Sequence, residues 1–406
     1  MIIKPSIRSN FFTNTNPLGV QKMMNNYVKE IHKMESYKGP KNVLIIGGSS
    51  GYGLASRISL AFKGNANTIN VSFESYPKGN KTGSAGYWNN LFFHEVTKDL
   101  KTKHIDFNAD AFSFETKKAI LDTIKKEFGQ IDLLVYSLAS GVRKNYETGD
   151  VVRSHIKSLG KAVEGMTIDI KSMTVQPLVV EPANEEETLN TVYVMGGSDW
   201  YDWVKYLDEG KVLSKHFKTI SYTYIGGKNT DAIYRHGTLG KAKEDLENVA
   251  YKLNQMLKEK YDGEALISSS KAIVSKASVF IPQMPMYVSY LFDVMMKHQV
   301  HETTLEHKHR LFKDMVYGSQ RITDELGRIR LDHKEMDPVI QDEVHQLMQQ
   351  KVDNSFLQKP GTKMFIEEFF NINGFMIEGI NEDEDIDIEA LAKTYQTDKY
   401  IDLVTP

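Results

Sequence analysis

The stretch LIIGGSSGYGLASRI, from Leu44 to Ile58, sets an apolar run against a burst of glycine and serine and follows it with a helical stripe. A glycine-rich turn between a buried strand and a helix lets backbone N–H groups approach a phosphate at the positive end of the helix. The spacing is G-x-x-x-G-x-G over Gly47, Gly51 and Gly53, not the commoner G-x-G-x-x-G, so a tight turn without a ligand is the competing reading. Two acids favour the ligand. Glu74 closes the next strand-like run 21 residues after Gly53, where a carboxylate accepts hydrogen bonds from an adenosine ribose and repels a 2′-phosphate. Asp110, followed by Ala111, lies just beyond the third run, in position to meet an adenine edge. The stretch is therefore expected to cradle a pyrophosphate, with NADH favoured over NADPH.

Outward from this turn, short apolar runs alternate with helical stripes, the pattern of a parallel sheet covered by helices. NVLII (42–46), TINVSF (68–73), KHIDF (103–107) and IDLLVYSLA (131–139) are the strand candidates. Leu54, Ile58 and Phe62 repeat at helical spacing, as do Ile120, Ile124 and Phe128 before a helix-ending Gly129. Right-handed crossovers between such runs build half of a doubly wound sheet. After Ala139 the rhythm breaks, because Tyr234 comes 95 residues later, far beyond a unit of about 30 residues. Within that insertion MTIDIKSMTVQPLVV (166–180) alternates like a two-stranded ribbon, and a helix is expected from about Asn184. The rhythm resumes with a strand at KTISYTYIG (218–226), a helix from about Thr238 to Lys260 and a short strand AIVS (272–275). Mainly helical stripes run to about residue 350, GFMIEGI (374–380) reads as a last strand, and NEDEDIDIE reads as a solvated loop.

Composition narrows the function classes. With 406 residues, 41% of them hydrophobic and 25% charged, the chain is long and balanced enough for two or three globular units. A net charge of −3 implies no general attraction to nucleic acid or an anionic membrane. The count of zero cysteines removes disulfides, zinc–thiolate sites and thiolate nucleophiles. The opening MIIKPSIRSNFF lacks the pattern of a signal peptide. Ala277 to Phe292, the longest uncharged stretch at 16 residues, is too short and too interrupted by Pro282, Gln283 and Pro285 to span a bilayer. A cytoplasmic protein with no nucleic-acid or membrane partner is expected.

The chemistry centres on YRHGTLGKAKEDLENVAYKL, just past the resumed strand, at the sheet end where ligands of such folds bind. Tyr234 and Lys243 lie nine residues apart, which on one continuous helix would set them on opposite faces. With Thr238 as N-cap, Tyr234 stays in the preceding loop and can turn back toward the lysine. An ordinary buried phenol and an unrelated surface amine is the alternative.

GGSSGYGLASRI, FE at 73–74, DA at 110–111, YSLAS at 136–140 and the Y-x8-K of YRHGTLGKAK together resemble the FabV-type enoyl-acyl-carrier-protein and enoyl-CoA reductases, single-chain bacterial enzymes. The resemblance covers nearly the whole chain, from MIIKP to FMIEGI. Its most specific element is Y-x8-K, since ordinary short-chain dehydrogenases use Y-x3-K and other enoyl reductases Y-x6-K. It implies an α/β fold, a Rossmann-type doubly wound parallel sheet of short-chain-dehydrogenase type with an inserted β-ribbon and additional helices. It further implies NADH-dependent reduction of the C2=C3 bond of a trans-2-enoyl thioester of coenzyme A or acyl carrier protein. By resemblance Tyr234 is the proton donor, Lys243 a cofactor ligand that also lowers the tyrosine's pKa, and Tyr224 a substrate contact. The implied NADH site is Gly47, Gly48, Ser49, Ser50, Gly51, Tyr52, Phe73, Glu74, Asp110, Ala111, Leu138, Ala139, Ala272, Ile273 and Val274. A keto or alcohol dehydrogenase on the same scaffold and a dinucleotide-binding sensor without turnover are the rival readings.

The expected organisation is an NADH-binding segment over 1–80, the rest of the core with its insertion (about 145–215) over 81–316, and a helical segment with a last strand over 317–406. A monomer is expected, since the insertion and added helices cover faces that smaller relatives use to assemble. Two departures from the family pattern stand out: AGYWNN (85–90) reverses two aromatics, and KAIVSKAS (271–278) replaces Leu-Val-Thr-Gln, with Ser275 keeping the hydroxyl. No glycine motif after Gly263 suggests a flavin. His301, His307 and His309 read as a solvated helix face in preference to metal ligands, with Lys308 and Arg310 as candidate contacts for a carrier's phosphates. VFIPQMPMYVSYLF (279–292) reads as core helix or as the wall of an acyl tunnel.

Overall fold

The computed structural model describes residues 1–404 apart from Ser9 and Ala277. Its main strands are β1 (Asn42–Ile46), β2 (Asn67–Ser72), β3 (His104–Asn108), β4 (Ile131–Tyr136), β5 (Val163–Asp169), β6 (Thr174–Val180), β7 (Leu213–Thr223), β8 (Glu264–Ser269), β9 (Ile329–Arg330) and β10 (Tyr400–Asp402). The helices are α1 (Pro17–His32), α2 (Gly51–Phe62), α3 (Ala85–Thr97), α4 (Phe114–Glu127), α5 (Glu185–Met195), α6 (Ser198–Glu209), α7 (Thr238–Tyr261), α8 (Met284–Lys297), α9 (Thr304–Arg310), α10 (Pro338–Met348), α11 (Pro360–Asn371) and α12 (Ile388–Tyr395). The chain divides into two compact units, residues 1–111, 302–321 and 366–406, and residues 112–301 and 322–365.

In the first unit four parallel strands run in the order β10, β3, β2, β1. Beneath them lies a charged core. Arg57 of α2 and Asp106 of β3 are both fully buried and meet in a two-pronged ion pair, Nη1 to Oδ1 at 2.8 Å and Nη2 to Oδ2 at 2.7 Å. The guanidinium also lies 3.8 Å from the centre of the Phe93 ring, and its Nε donates to Thr68 at 3.3 Å. Asn70 of β2 donates to Asp106 Oδ1 at 2.7 Å, and its own carbonyl accepts the Gly48 N–H at 2.8 Å. Burial by itself would raise the Asp106 carboxyl, but Arg57 and His94 beside it hold it well below the usual carboxylate range.

The second unit carries its own parallel array in the order β4, β7, β8, β9. Between β4 and β7 comes the insertion: the antiparallel ribbon β5–β6, pairing Val163 with Val180 through Asp169 with Thr174, then α5 and α6. Asn184 caps α5 in a reciprocal capping box with Glu187, which fixes the helix start where the sequence put it. Two hydrogen bonds latch the ribbon: Gln283 Nε2 to the Glu164 carbonyl at 3.1 Å, and the Val175 N–H to Asn354 Oδ1 at 2.9 Å.

Several sequence expectations need correction. The fourth strand stops at Tyr136, and Ser137 to Ser140 are irregular. AIVS (272–275) is loop, because the strand that pairs with β7 is EALISS (264–269) just before it. GFMIEGI forms turns, anchored by Phe375 stacking on Phe12 at 5.5 Å, and the last strand is Tyr400–Asp402 beside β3. Gly237, not Thr238, caps α7, since the Thr238 hydroxyl is occupied by the His155 carbonyl at 2.5 Å. Among the described residues, no helix is long and apolar enough to cross a membrane.

The buried pair gives a direct test of the first unit. Asp106→Asn leaves the Arg57 charge without its counterion in the core, so urea unfolding at pH 7 should show a loss of about 3–5 kcal/mol. A loss below about 1 kcal/mol, the scale of an exposed pair, would show that the pair does not organise this unit. Because the native Asp106 carboxyl is depressed, its contribution is full above the unfolded pKa of about 3.9 and is lost as pH falls below it.

Candidate active site

In the first unit, β1 ends at the glycine turn and α2 begins at Gly51. Gly47 adopts φ +87°, and a Cβ on Gly53 would fall 2.0 Å from the Gly47 carbonyl, so the helix start lies directly on the turn. Ser50 is the N-cap yet makes no capping hydrogen bond, which leaves the helix's positive end without a side-chain acceptor of its own. Gly48 is fixed through its N–H by Asn70, and the Ser49 carbonyl accepts from Asn89 Nδ2 at 2.9 Å. The cradle is therefore preformed by the polar core beneath it.

Glu74, just past β2, is brought against this turn. Its Oε1 accepts from Ser49 Oγ at 2.6 Å and its Oε2 from Ser84 Oγ, the N-cap of α3, at 2.5 Å. A Cβ at Gly86 would fall 2.0 Å from Oε1, so the glycine of AGYWNN makes room for the carboxylate. Both reversed aromatics are buried, with Trp88 Nε1 donating to the Thr82 carbonyl at 2.7 Å. Phe73 is largely exposed, Ala111 is buried and Asp110 half-buried. Tyr52, at the head of α2, has the buried Lys308 ammonium 4.2 Å from its ring centre.

Within the second unit the expected chemistry gathers at the carboxyl end of β7. Tyr224 follows the strand, and Tyr234 sits in the turn before α7, its ring edge-on to Tyr224 with centres 4.6 Å apart. Lys243, in the second turn of α7, donates to the Tyr222 carbonyl at 3.2 Å. The Tyr234 phenol is buried, and burial pushes its pKa up. No charge offsets this, so the lowering expected from Lys243 is not found. Burial moves Lys243 itself down to about 8, with Glu247 opposing the shift. Among the described residues the Tyr234 hydroxyl bonds to no other group, whereas that of Tyr224 donates to Glu335 at 2.9 Å.

Glu335 is a carboxylate beside Tyr224 that the sequence does not single out. It is fully buried, and its carboxylate also accepts from Tyr287 of α8 at 2.6 Å and from the Ala272 N–H at 2.6 Å. Burial raises it to about 7 against the hydrogen bonds, which favour the charged form. Ala272, Ile273 and Val274 are buried in the loop after β8, while Leu138 is half-buried and Ala139 exposed after β4. Ser275 uses its hydroxyl to accept the Ser278 N–H at 3.1 Å. The Met- and aromatic-rich stretch is core: Met284, Met286, Tyr287, Tyr290, Leu291 and Phe292 are all buried in α8, while the side chain of Phe280 lies outside the described residues.

The histidine-rich helix is not a solvated face. His307, Lys308 and His309 are buried in the first unit, where Glu302 accepts from His307 Nδ1 at 2.6 Å and Arg310 Nη2 at 2.7 Å. Of the two candidate carrier contacts, Arg310 is thus paired internally with Glu302 and Lys308 is buried against the Tyr52 ring. His301, described with the second unit, stands edge-on to Phe292. No group of three metal-ligating side chains converges among the described residues.

Comparison with known proteins places this geometry. A family model described as the trans-2-enoyl-CoA reductase catalytic region matches residues 81–317, and one for the NAD(P)H binding domain of trans-2-enoyl-CoA reductase matches 2–79. A third, the enoyl reductase FAD binding domain, matches 323–386. The trans-2-enoyl-CoA reductase [NADH] of Clostridium beijerinckii is 41% identical over 97% of this chain and 99% of that protein. The enoyl-[acyl-carrier-protein] reductase [NADH] 2 of Photobacterium profundum is likewise 41% identical, over 97% and 99%. The crystal structure of Clostridium acetobutylicum trans-2-enoyl-CoA reductase in complex with NADH superposes with a TM-score of 0.94 at 40% identity, covering 97% and 99% of the two chains.

The residues of 323–386 do not fit a flavin. β9 runs into the turn Leu331–Lys334 with no glycine between them, so there is no phosphate-cradling strand–turn–helix. The buried acids there are already held, Asp332 by Ser269 and Arg330 and Glu335 by its three donors. Gly374 packs against backbone, a Cβ there falling 2.0 Å from the Asn16 carbonyl. With a matched catalytic region spanning more than half the chain and full-length relatives near 40% identity, this chain belongs to the trans-2-enoyl-CoA and enoyl-acyl-carrier-protein reductase family.

Proposed function

We propose that the chain reduces the C2=C3 double bond of trans-2-enoyl thioesters with NADH, as a step of fatty acid synthesis. Its full-length relatives carry that activity in their names, and the preformed cradle at Gly47–Gly53 suits the pyrophosphate. NADH supplies the hydride that adds to C3. The observation that best supports the chemistry is the Tyr234 phenol, buried, protonated and without an internal hydrogen bond among the described residues. As hydride adds at C3, negative charge develops on the thioester oxygen, and a preorganised O–H donor stabilises it. Burial raises the phenol, so the proton stays in place across the working pH range.

Lys243 is the proposed ligand of the nicotinamide ribose, held in place by the Tyr222 carbonyl. The other proposed NADH contacts are Gly47 to Tyr52, Phe73, Glu74, Asp110 and Ala111 in the first unit, and Leu138, Ala139 and Ala272 to Val274 in the second. Tyr224 is the proposed substrate contact. Glu74, whose oxygens each keep a lone pair beyond Ser49 and Ser84, is the proposed ribose acceptor and the source of selectivity for NADH. A monomeric, cytoplasmic enzyme belongs to the same reading, with light scattering at the mass of one chain as its check.

NADH oxidation should proceed with crotonyl-CoA and not with acetoacetyl-CoA, and oxidation with neither despite NADH binding would favour the sensor. Tyr234→Phe should lower turnover by about 10² or more, the scale for losing one such donor, while NADH titration stays near native. Lys243→Met should weaken NADH binding and turnover together. Its ammonium is charged below its pKa of about 8, so NADH affinity should fall as pH rises through that value, and the variant should lose this step. Glu74→Ser should bring NADPH closer to NADH in kcat/KM by removing the charge that repels a 2′-phosphate. A wild-type enzyme that already prefers NADPH would sink the assignment of Glu74.

A further inference from the structure

We propose that Glu335 is a positioning residue of the reductase site, whose ionised carboxylate sets the direction of the Tyr224 hydroxyl and holds the Ala272 backbone in register with it. The proposal rests on the reductase reading above, and it is carried by the donor count around one carboxylate.

Oε2 faces the Ala272 N–H at 2.6 Å, a group that can only donate, so this contact favours the oxygen unprotonated. Oε1 takes two hydroxyls, Tyr287 at 2.6 Å and Tyr224 at 2.9 Å. Gln341 then settles which way these bonds run. Its amide nitrogen donates to the Tyr287 oxygen at 2.9 Å and to the Glu335 backbone carbonyl at 2.9 Å, so the Tyr287 proton is directed to Oε1. With both oxygens accepting, Tyr224 must donate inward as well. Its proton is therefore committed, and the thioester oxygen is left to Tyr234.

Protonating Glu335 undoes this arrangement. A proton on Oε1 needs an acceptor, and Tyr287 already accepts from Gln341, so the Tyr224 hydroxyl must turn around and point its own proton away. A proton on Oε2 instead weakens the bond from the Ala272 N–H, in the loop proposed to contact NADH. The titratable groups that face the carboxylate are Tyr224 after β7, Tyr287 on α8 and Asp332 in its own turn, the last neutralised by Arg330; α10 presents the uncharged Gln341. Burial places the titration at about 7.

The linkage sign separates positioning from support of the fold. A carboxyl raised above its ordinary 4.5 binds its proton more tightly in the native state, so its effect on stability is most favourable at low pH and is lost as pH rises to about 7. The proposed effect on activity runs the opposite way over the same interval.

The test is kcat/KM for crotonyl-CoA and thermal unfolding, both from pH 5.5 to 8.5, on wild type and Glu335→Gln. Wild-type kcat/KM should fall about tenfold per pH unit on the acid side. Glu335→Gln should lack that limb and sit about 10- to 100-fold lower at pH 8, the scale of a misplaced reacting group. Its unfolding temperature should also depend less on pH than that of wild type. Tyr287→Phe removes one hydrogen bond to the carboxylate, so its acid limb should move to higher pH, and this variant carries the test if Glu335→Gln does not fold. An unchanged limb in Glu335→Gln, or in Tyr287→Phe, would overturn the proposal while leaving the reductase reading intact. A wild type inert toward crotonyl-CoA would overturn that reading and the proposal with it.

Discussion

The bidentate pair between Arg57 and Asp106 is the constraint on which the first unit depends. Two ions placed out of water are tolerated only when each is matched in charge and hydrogen-bonded throughout. Here the match draws in α2, β2, α3 and β3 at once, since Thr68, Asn70, Phe93 and His94 all border the pair. Asn70 then passes the order upward, because the amide that donates to Asp106 has its carbonyl on the Gly48 N–H. The turn from Gly47 to Gly53, a run rich in glycine and serine, is thereby tied to the buried ion pair of its unit. Preorganisation of this kind lets binding energy go to the ligand and not to ordering the loop.

The second unit uses a buried carboxylate in the contrary manner. Asp106 is matched by a full positive charge and its pKa is depressed; Glu335 is met only by neutral donors and its pKa is raised. The first arrangement is inert over any pH the protein would meet. The second is poised, because burial disfavours the anion by more than its three hydrogen bonds favour it, which brings the carboxyl to about 7. The two buried carboxylates thus differ in the partner supplied, a full positive charge for one and neutral donors for the other.

Much of this was legible in the sequence where the signal was local. The strand–glycine–helix unit, the ribbon, the Asn184 cap and the long helix α7 each follow from residues within a dozen positions of one another. What failed depended on partners far along the chain. AIVS and GFMIEGI look like strands because they are largely apolar, but the first is a mostly buried loop and the second a set of turns with Phe375 and Ile377 buried, and apolar runs of that length do not distinguish these from strands. HKHR looked solvated because four basic residues in a row normally are; Glu302 and Tyr52 supply the compensation that lets three of the four be buried. Arg57 within GLASRISLAF and Asp106 within HIDF did carry a readable hint, a charge of each sign inside an apolar element. Glu335, set in the polar run LDHKEMDP, carried none.

The two latches on the ribbon bear on how this fold can be divided. β5 is held by Gln283 at the head of α8, and β6 by Asn354, so the insertion before β7 and the helices after β8 share their fastenings. Gln283 sits in the left-handed region at φ +65°, and a Cβ on Gly165 would fall 2.3 Å from its amide nitrogen, so the side chain lies directly on the ribbon. The insertion and the helices after β8 are therefore joined in space although they are written in two places in the gene. Recombination or chimera building that exchanges one stretch without the other puts both fastenings at risk, since each needs a side chain from the later stretch against backbone of the earlier one.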